Sequence, residues 1–133
     1  MRTSMKIAIY IIGIGLLFVT GCWAPVRETD VVGSFVMKSN WACGNLTLKA
    51  DHTFQQELSK GCSAARANIT GKWKVDLDNA SVVTISFTPF LGRNPENDQV
   101  QSFGFTDFTV SRLKWGPVRI VIDPDAGTSY DKQ

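Results

Sequence analysis

The chain has 133 residues, with 14 lysines and arginines against 12 acids, a single histidine and three cysteines. This is one domain's worth of polypeptide, and a formal charge of +2 with no Lys/Arg cluster beyond residue 21 excludes a nucleic-acid-binding surface. Even that small excess is Arg2 and Lys6, because without residues 1–21 the 14 basic residues become 12, equal to the acids.

Residues 1–21 read as a cleaved secretory signal peptide. The segment "MRTSMK" carries both cations, residues 7–19 ("IAIYIIGIGLLFV") are apolar without a break, and Thr20 and Gly21 are small. A membrane-spanning helix needs about 20 apolar residues. This run is shorter, and Pro25 and Arg27 prevent its extension. Met1 and Met5 serve equally well as the start.

The sequence Val19-Thr20-Gly21-Cys22 resembles the lipobox of bacterial lipoproteins: an aliphatic residue, a small or hydroxyl residue, Gly or Ala, then Cys. The resemblance implies cleavage before Cys22, a diacylglycerol on its thiol and a further acyl chain, such as palmitate, on its amine. At about 0.8 kcal/mol per buried methylene, two or three chains make a durable membrane anchor. Trp23 follows the cysteine where Asp would retain a Gram-negative lipoprotein at the inner membrane. By that analogy the chain goes to the outer membrane, facing the periplasm. Residues 22–30 are then a lipidated anchor and short tether, and 31–133 a single domain. The eight residues between Cys22 and Val31 span at most about 28 Å.

With Cys22 acylated, Cys43 and Cys62 remain in an oxidising compartment, where two thiols pair. The bridge closes a loop with 18 residues between its ends, worth roughly 3 kcal/mol in the chain-entropy picture. A metal pair lacks neighbouring His or Cys ligands.

Beyond the tether, alternation dominates. Strands are expected over 31–38 ("VVGSFVMK"), 46–49, 53–58, 72–77 ("KWKVDL"), 82–87 ("VVTISF") and 118–123 ("VRIVID"). Phe103 and Phe105 fall in one phase and Phe108 and Val110 in the other, a slip around Asp107 that marks a bulge or strand boundary. Turn chemistry separates the runs at 50–53, 78–80 and 115–117, with longer breaks at 59–67 and 88–99. About eight strands in sequence predict an all-β fold, an antiparallel meander closed into a small barrel, with a two-sheet sandwich as the alternative. Pairing 46–49 with 53–56 across Asp51-His52 places Cys43 and Cys62 at the open end of one hairpin.

The cadence "VVGSFV… LTLKADHTF… GKWKVD… VVTISF" is similar to that of small bacterial lipoproteins with lipocalin-like β-barrels. Gly33, Phe35, Leu46, Leu48, Asp51, Thr53, Phe54, Gly71 and Trp73 are the matching positions, and His52 stands where glycine is usual. The resemblance implies a fold and no activity, since such folds host unrelated functions.

No residue pattern calls for chemistry or a cofactor. His52 is the only histidine, has no evident catalytic partner, and occupies a turn position that favours positive φ. The doublets Asp76/Asp78 and Asp123/Asp125 follow strands directly and read as turn residues, without the spacing of a calcium loop. No nucleophile elbow, phosphate loop or dinucleotide fingerprint occurs. The expectation is a non-enzymatic, membrane-anchored binding module for a small apolar ligand or an envelope protein. The alternative is an inhibitor or immunity lipoprotein against a toxin or cell-wall hydrolase. Trp41, Phe90, Leu91 and Trp115 sit in expected connections, where aromatic and aliphatic side chains contact a partner or cap the barrel end.

Overall fold

The computed structural model describes residues 25–62, 65–77, 82–112 and 116–133. The expected signal peptide, Val19, Thr20, Gly21, Cys22, Asp78 and Trp115 lie outside the described residues. A one-turn helix, α1 (Glu28–Val31), is followed by ten strands: β1 (Gly33–Lys38), β2 (Ala42–Leu48), β3 (Thr53–Lys60), β4 (Ala67–Asp76), β5 (Val83–Thr88), β6 (Phe90–Arg93), β7 (Val100–Phe103), β8 (Thr106–Arg112), β9 (Val118–Asp123) and β10 (Thr128–Lys132). Eight of them close an antiparallel barrel in the order β1-β10-β9-β8-β5-β4-β3-β2, and β6 and β7 form a separate hairpin. Apart from that insertion, barrel neighbours are chain neighbours, so the fold is a meander.

The alternation seen in the sequence fixes which face turns inward. Phe35, Leu46, Leu48, Phe54, Trp73, Ile85, Phe87, Val110, Val118, Ile120 and Tyr130 all point into one buried core. The interior is filled rather than hollow. Phe54 and Phe87 meet edge to face at 5.1 Å, and Phe90 lies 4.7 Å from Phe87 and 4.9 Å from Phe108. Such aromatic pairs add about 0.5–1.5 kcal/mol each beyond the area they bury.

Several elements differ from the sequence expectation. The 88–99 break contains β6 and begins the hairpin. The strand expected over 46–49 begins earlier, at Ala42. Its first residues look turn-like because a side chain would not fit at Gly44: a Cβ there meets Leu58 and the Tyr130 hydroxyl, both at 3.0 Å. Strand β10 was masked by polarity. Only Tyr130 of "TSYDK" joins the apolar core, while Ser129 and Asp131 are buried under Arg119 and Lys38 on the other face. The phase slip falls at Gly104-Phe105, between β7 and β8, and Phe105 is 65% exposed rather than interior.

The β2–β3 turn forms as expected. Leu48 pairs with Phe54, His52 takes φ 67°, and the Asp51 carboxylate accepts the Thr53 backbone N–H (3.0 Å) and hydroxyl (2.6 Å). Bonds from Thr53 hold that carboxyl below its ordinary value. Gly71 is required by close approach, because a Cβ would lie 2.4 Å from the Thr88 carbonyl oxygen, where the chain leaves β5 for the hairpin.

The end of the barrel where β1 begins is closed by α1. Val31 is fully buried in the core, Asp30 pairs with Arg112 at 3.3 Å, and Lys132 Nζ donates to the Asp30 carbonyl at 2.7 Å. His52, which the sequence leaves without a partner, has one here. Its Nε2 pairs with the Glu28 carboxylate, and its ring lies 4.9 Å from Trp73. Among the described residues no helix is long and apolar enough to cross a membrane.

Candidate functional site

The opposite end, the mouth, is where the barrel departs from a plain meander. The β6–β7 hairpin folds inward there, sending Phe90 into the aromatic core and Leu91 against Ala42 and Leu58. Gln56 holds it. This residue occupies the inward phase of β3 between Phe54 and Leu58 and is 1% exposed. Its side-chain amide accepts from Leu91 N (2.8 Å) and donates to Leu91 O (2.9 Å) and to the Tyr130 hydroxyl (3.0 Å). The amide thus replaces one rung of a β-ladder, fastening the hairpin where no strand can reach it. Burial pushes the Tyr130 hydroxyl up to about 12, opposed by the bond with Gln56.

The hairpin does not fill the mouth. Between it, the β1–β2 connection and the β9–β10 turn remains a cavity of about 660 Å³. Met37, Trp41, Leu58, Phe90, Leu91 and Ile122 supply apolar wall, and Ser39, Asn40, Arg93, Asp123 and Thr128 contribute polar atoms. Three of the four contact residues expected from sequence, Trp41, Phe90 and Leu91, are therefore brought to one cavity. Phe90 and Leu91 are buried at 2% and 6%, so they form its wall and cap the core rather than project as surface anchors. Phe105, in contrast, is not part of this lining.

Trp41 is the distinctive group. Its backbone N–H donates to Ser39 Oγ (3.0 Å), and its carbonyl accepts from Gly61 N (2.9 Å). The Arg93 guanidinium carbon sits 5.7 Å from the ring centroid. The indole N–H is buried with no hydrogen-bond partner, a state that costs about 1–3 kcal/mol.

The Cys43–Cys62 disulfide, with Cα atoms 5.1 Å apart, supports this wall. It joins β2 to the chain just beyond β3, and Ser59 Oγ bonds the Gly61 carbonyl at 2.9 Å. The expected role, fastening the hairpin's open end, thereby also fixes the segment on which Trp41 rests.

Several charged groups at the mouth are already engaged. Asp98 pairs with Lys60 (3.2 Å) and Arg93 (2.5 Å), and these bonds, Lys60's first, hold its carboxyl below the ordinary value. Asp123 Oδ1 accepts the backbone N–H groups of Asp125 (3.1 Å) and Ala126 (3.2 Å), the turn role expected of that doublet. Among the described residues no group of three His, Cys, Asp or Glu side chains is placed to hold a metal ion.

Sequence reasoning missed Gln56, Met37, Arg93 and Ile122. For Gln56 a signal was present: one polar residue in the inward phase of an otherwise apolar strand face marks a buried group with a specific partner. Arg93 carried no comparable signal, since its ring contact depends on how the hairpin folds back. Compared with protein families, with curated proteins and with solved structures, the chain matches none. What the geometry establishes is a small eight-stranded antiparallel β-barrel with a cavity at one end.

Proposed function

We propose that the chain is a bacterial envelope lipoprotein, anchored through acyl chains on Cys22, whose barrel binds a small, largely apolar ligand without transforming it. The observation that carries this reading is the mouth cavity. Its volume, about 660 Å³, falls within the range of about 300–1,000 Å³ usual for small-ligand sites, and mostly apolar walls with a few convergent polar groups are their usual composition. A ligand with an apolar body packs against Met37, Trp41, Leu91 and Ile122, and a polar group on it meets the polar lining supplied by Ser39, Asn40, Arg93 and Thr128. Binding rather than catalysis is supported by Asp98 and Asp123, whose carboxylates already serve an ion pair and a turn.

The test is native mass spectrometry of residues 23–133, exported to the periplasm without acylation and purified without detergent. The expected result is a reproducible added mass of a few hundred daltons, lost in Trp41→Ala. A bare mass in repeated preparations, with unchanged tryptophan fluorescence against a panel of apolar acids, amides and alcohols, would refute the ligand-binding reading. The address is tested separately: Cys22→Ala is expected to abolish lipid labelling and membrane fractionation.

A further inference from the structure

We infer that the mouth cavity takes a zwitterionic amphiphile, an apolar chain whose head carries both an oxyanion and an ammonium group. The inference rests on the ligand-binding reading and adds to it the chemistry of the head.

Among the described residues that line the cavity, two carry charge, Arg93 and Asp123. They belong to different walls. Arg93 ends β6 in the hairpin, and Asp123 ends β9 where the chain turns toward β10. The other charged groups of this end, Lys60, Glu96, Asp98, Asp125 and the pairs Lys38–Asp131 and Arg66–Glu57, do not line the cavity. The two undescribed residues of the β3–β4 connection, Ser63 and Ala64, carry no charge.

Each of the two lining charges is held by the protein and keeps capacity for a further partner. Arg93 donates through Nε to Asp98 (2.5 Å), and that carboxylate is shared with Lys60, so two cations have one anion between them. A guanidinium has five N–H donors; Asp98 takes the one on Nε, and those on Nη1 and Nη2 bond no described residue. The Trp41 ring, 5.7 Å from the guanidinium carbon, packs against the fork. Asp123 is anchored through Oδ1, which accepts the N–H groups of Asp125 and Ala126, whereas Oδ2 accepts none from a described residue.

A ligand that covers the apolar walls strips water from both charges at once. That loss is costly unless an opposite charge takes the place of the water. A neutral head compensates neither group. A singly charged head compensates one and meets the other as a like charge. A head of both signs compensates both, its oxyanion on the Nη donors of Arg93 and its ammonium on Oδ2 of Asp123. Selection against the wrong heads comes from these mismatches as much as from the matches.

The experiment uses residues 23–133, which hold the whole closed barrel and its hairpin. Calorimetric titration compares four decyl compounds below their micelle-forming concentrations: decylphosphocholine, decyl sulfate, decyltrimethylammonium and decyl maltoside. Decylphosphocholine is expected to bind about five-fold more tightly than each of the others, the worth of one partly exposed ion pair. In Arg93→Gln its advantage over decyltrimethylammonium disappears and that over decyl sulfate stays. Asp123→Asn, which keeps an oxygen for the turn, reverses the two. A general loosening of the mouth cannot produce both shifts, and a urea midpoint for each variant checks that the barrel is intact. Equal affinity for the four compounds, or tightest binding of a head without both charges, would overturn the head chemistry and leave the ligand-binding reading standing. Binding of none of them by folded protein would overturn both.

Discussion

Replacing Gln56 with Leu tests whether the mouth is built by one side chain. The two side chains are close in volume, so packing changes little and the loss falls on hydrogen bonds. Leu91 N, Leu91 O and the Tyr130 hydroxyl would each lose the partner that Gln56 supplies at 2.8–3.0 Å. A buried polar group left unmatched costs about 1–3 kcal/mol. The Leu91 groups lie beside the mouth cavity, where water can take up part of the demand, so the lower end of the range applies and the expected loss is about 3 kcal/mol. Urea unfolding of residues 23–133 measures it. Amide exchange separates global from local loss, because a hairpin released from the barrel loses protection at Leu91 and Gly92 before the core strands do. A double-mutant cycle with Tyr130→Phe, expected to show a coupling of about 1 kcal/mol, isolates the side-chain bond. A Gln56→Leu protein within about 0.5 kcal/mol of the parent, with hairpin amides protected as before, would mean that Phe90 and Leu91 hold the hairpin by apolar packing alone.

Other expectations follow from the same structure. Tyr130 is the only tyrosine beyond residue 21, and its folded value, raised from 10.0 to about 12, makes stability intact below pH 10 and lost as pH rises toward 12. The unfolded chain ionises first, which costs about 3 kcal/mol across that interval; Tyr130→Phe should flatten this alkaline limb, and absorbance at the phenolate band reads it directly. Asp131 behaves in the opposite sense. Burial works against its charge, but bonds from Arg119, Lys38 and Ser129 outweigh it and hold its carboxyl below 3.8. Its contribution is therefore present above the ordinary carboxylate value and lost as pH falls through the depressed one; Asp131→Asn should remove that acid limb, and an unchanged acid midpoint would contradict it. Replacing both Cys43 and Cys62 with Ser should lower stability by roughly 3 kcal/mol from released loop entropy, with a drop in urea midpoint as the measure. A Gly71→Ala chain should be destabilised, since its Cβ would press on the Thr88 carbonyl at 2.4 Å; an unchanged melting temperature would show that the hairpin entry can move aside.

The amino-acid sequence by itself determined the all-β class, the meander order of the barrel, the turn at Asp51-His52 and the pairing of Cys43 with Cys62. Each is local or set by period-2 alternation, which states which side of a strand meets the core without reference to what lies across it. Tertiary structure alone decided the rest. Strand β10 carries one apolar core residue, Tyr130, and its outward carboxylate is buried only because Arg119 and Lys38 come from other strands. The β6–β7 hairpin has too few residues to announce itself, and its stability comes from Gln56, 35 residues away from Leu91 in the chain. The cavity beside Trp41 exists because that hairpin covers only part of the mouth. Such features depend on closure of the barrel, where residues remote in sequence become neighbours, and no local pattern encodes which of them will meet.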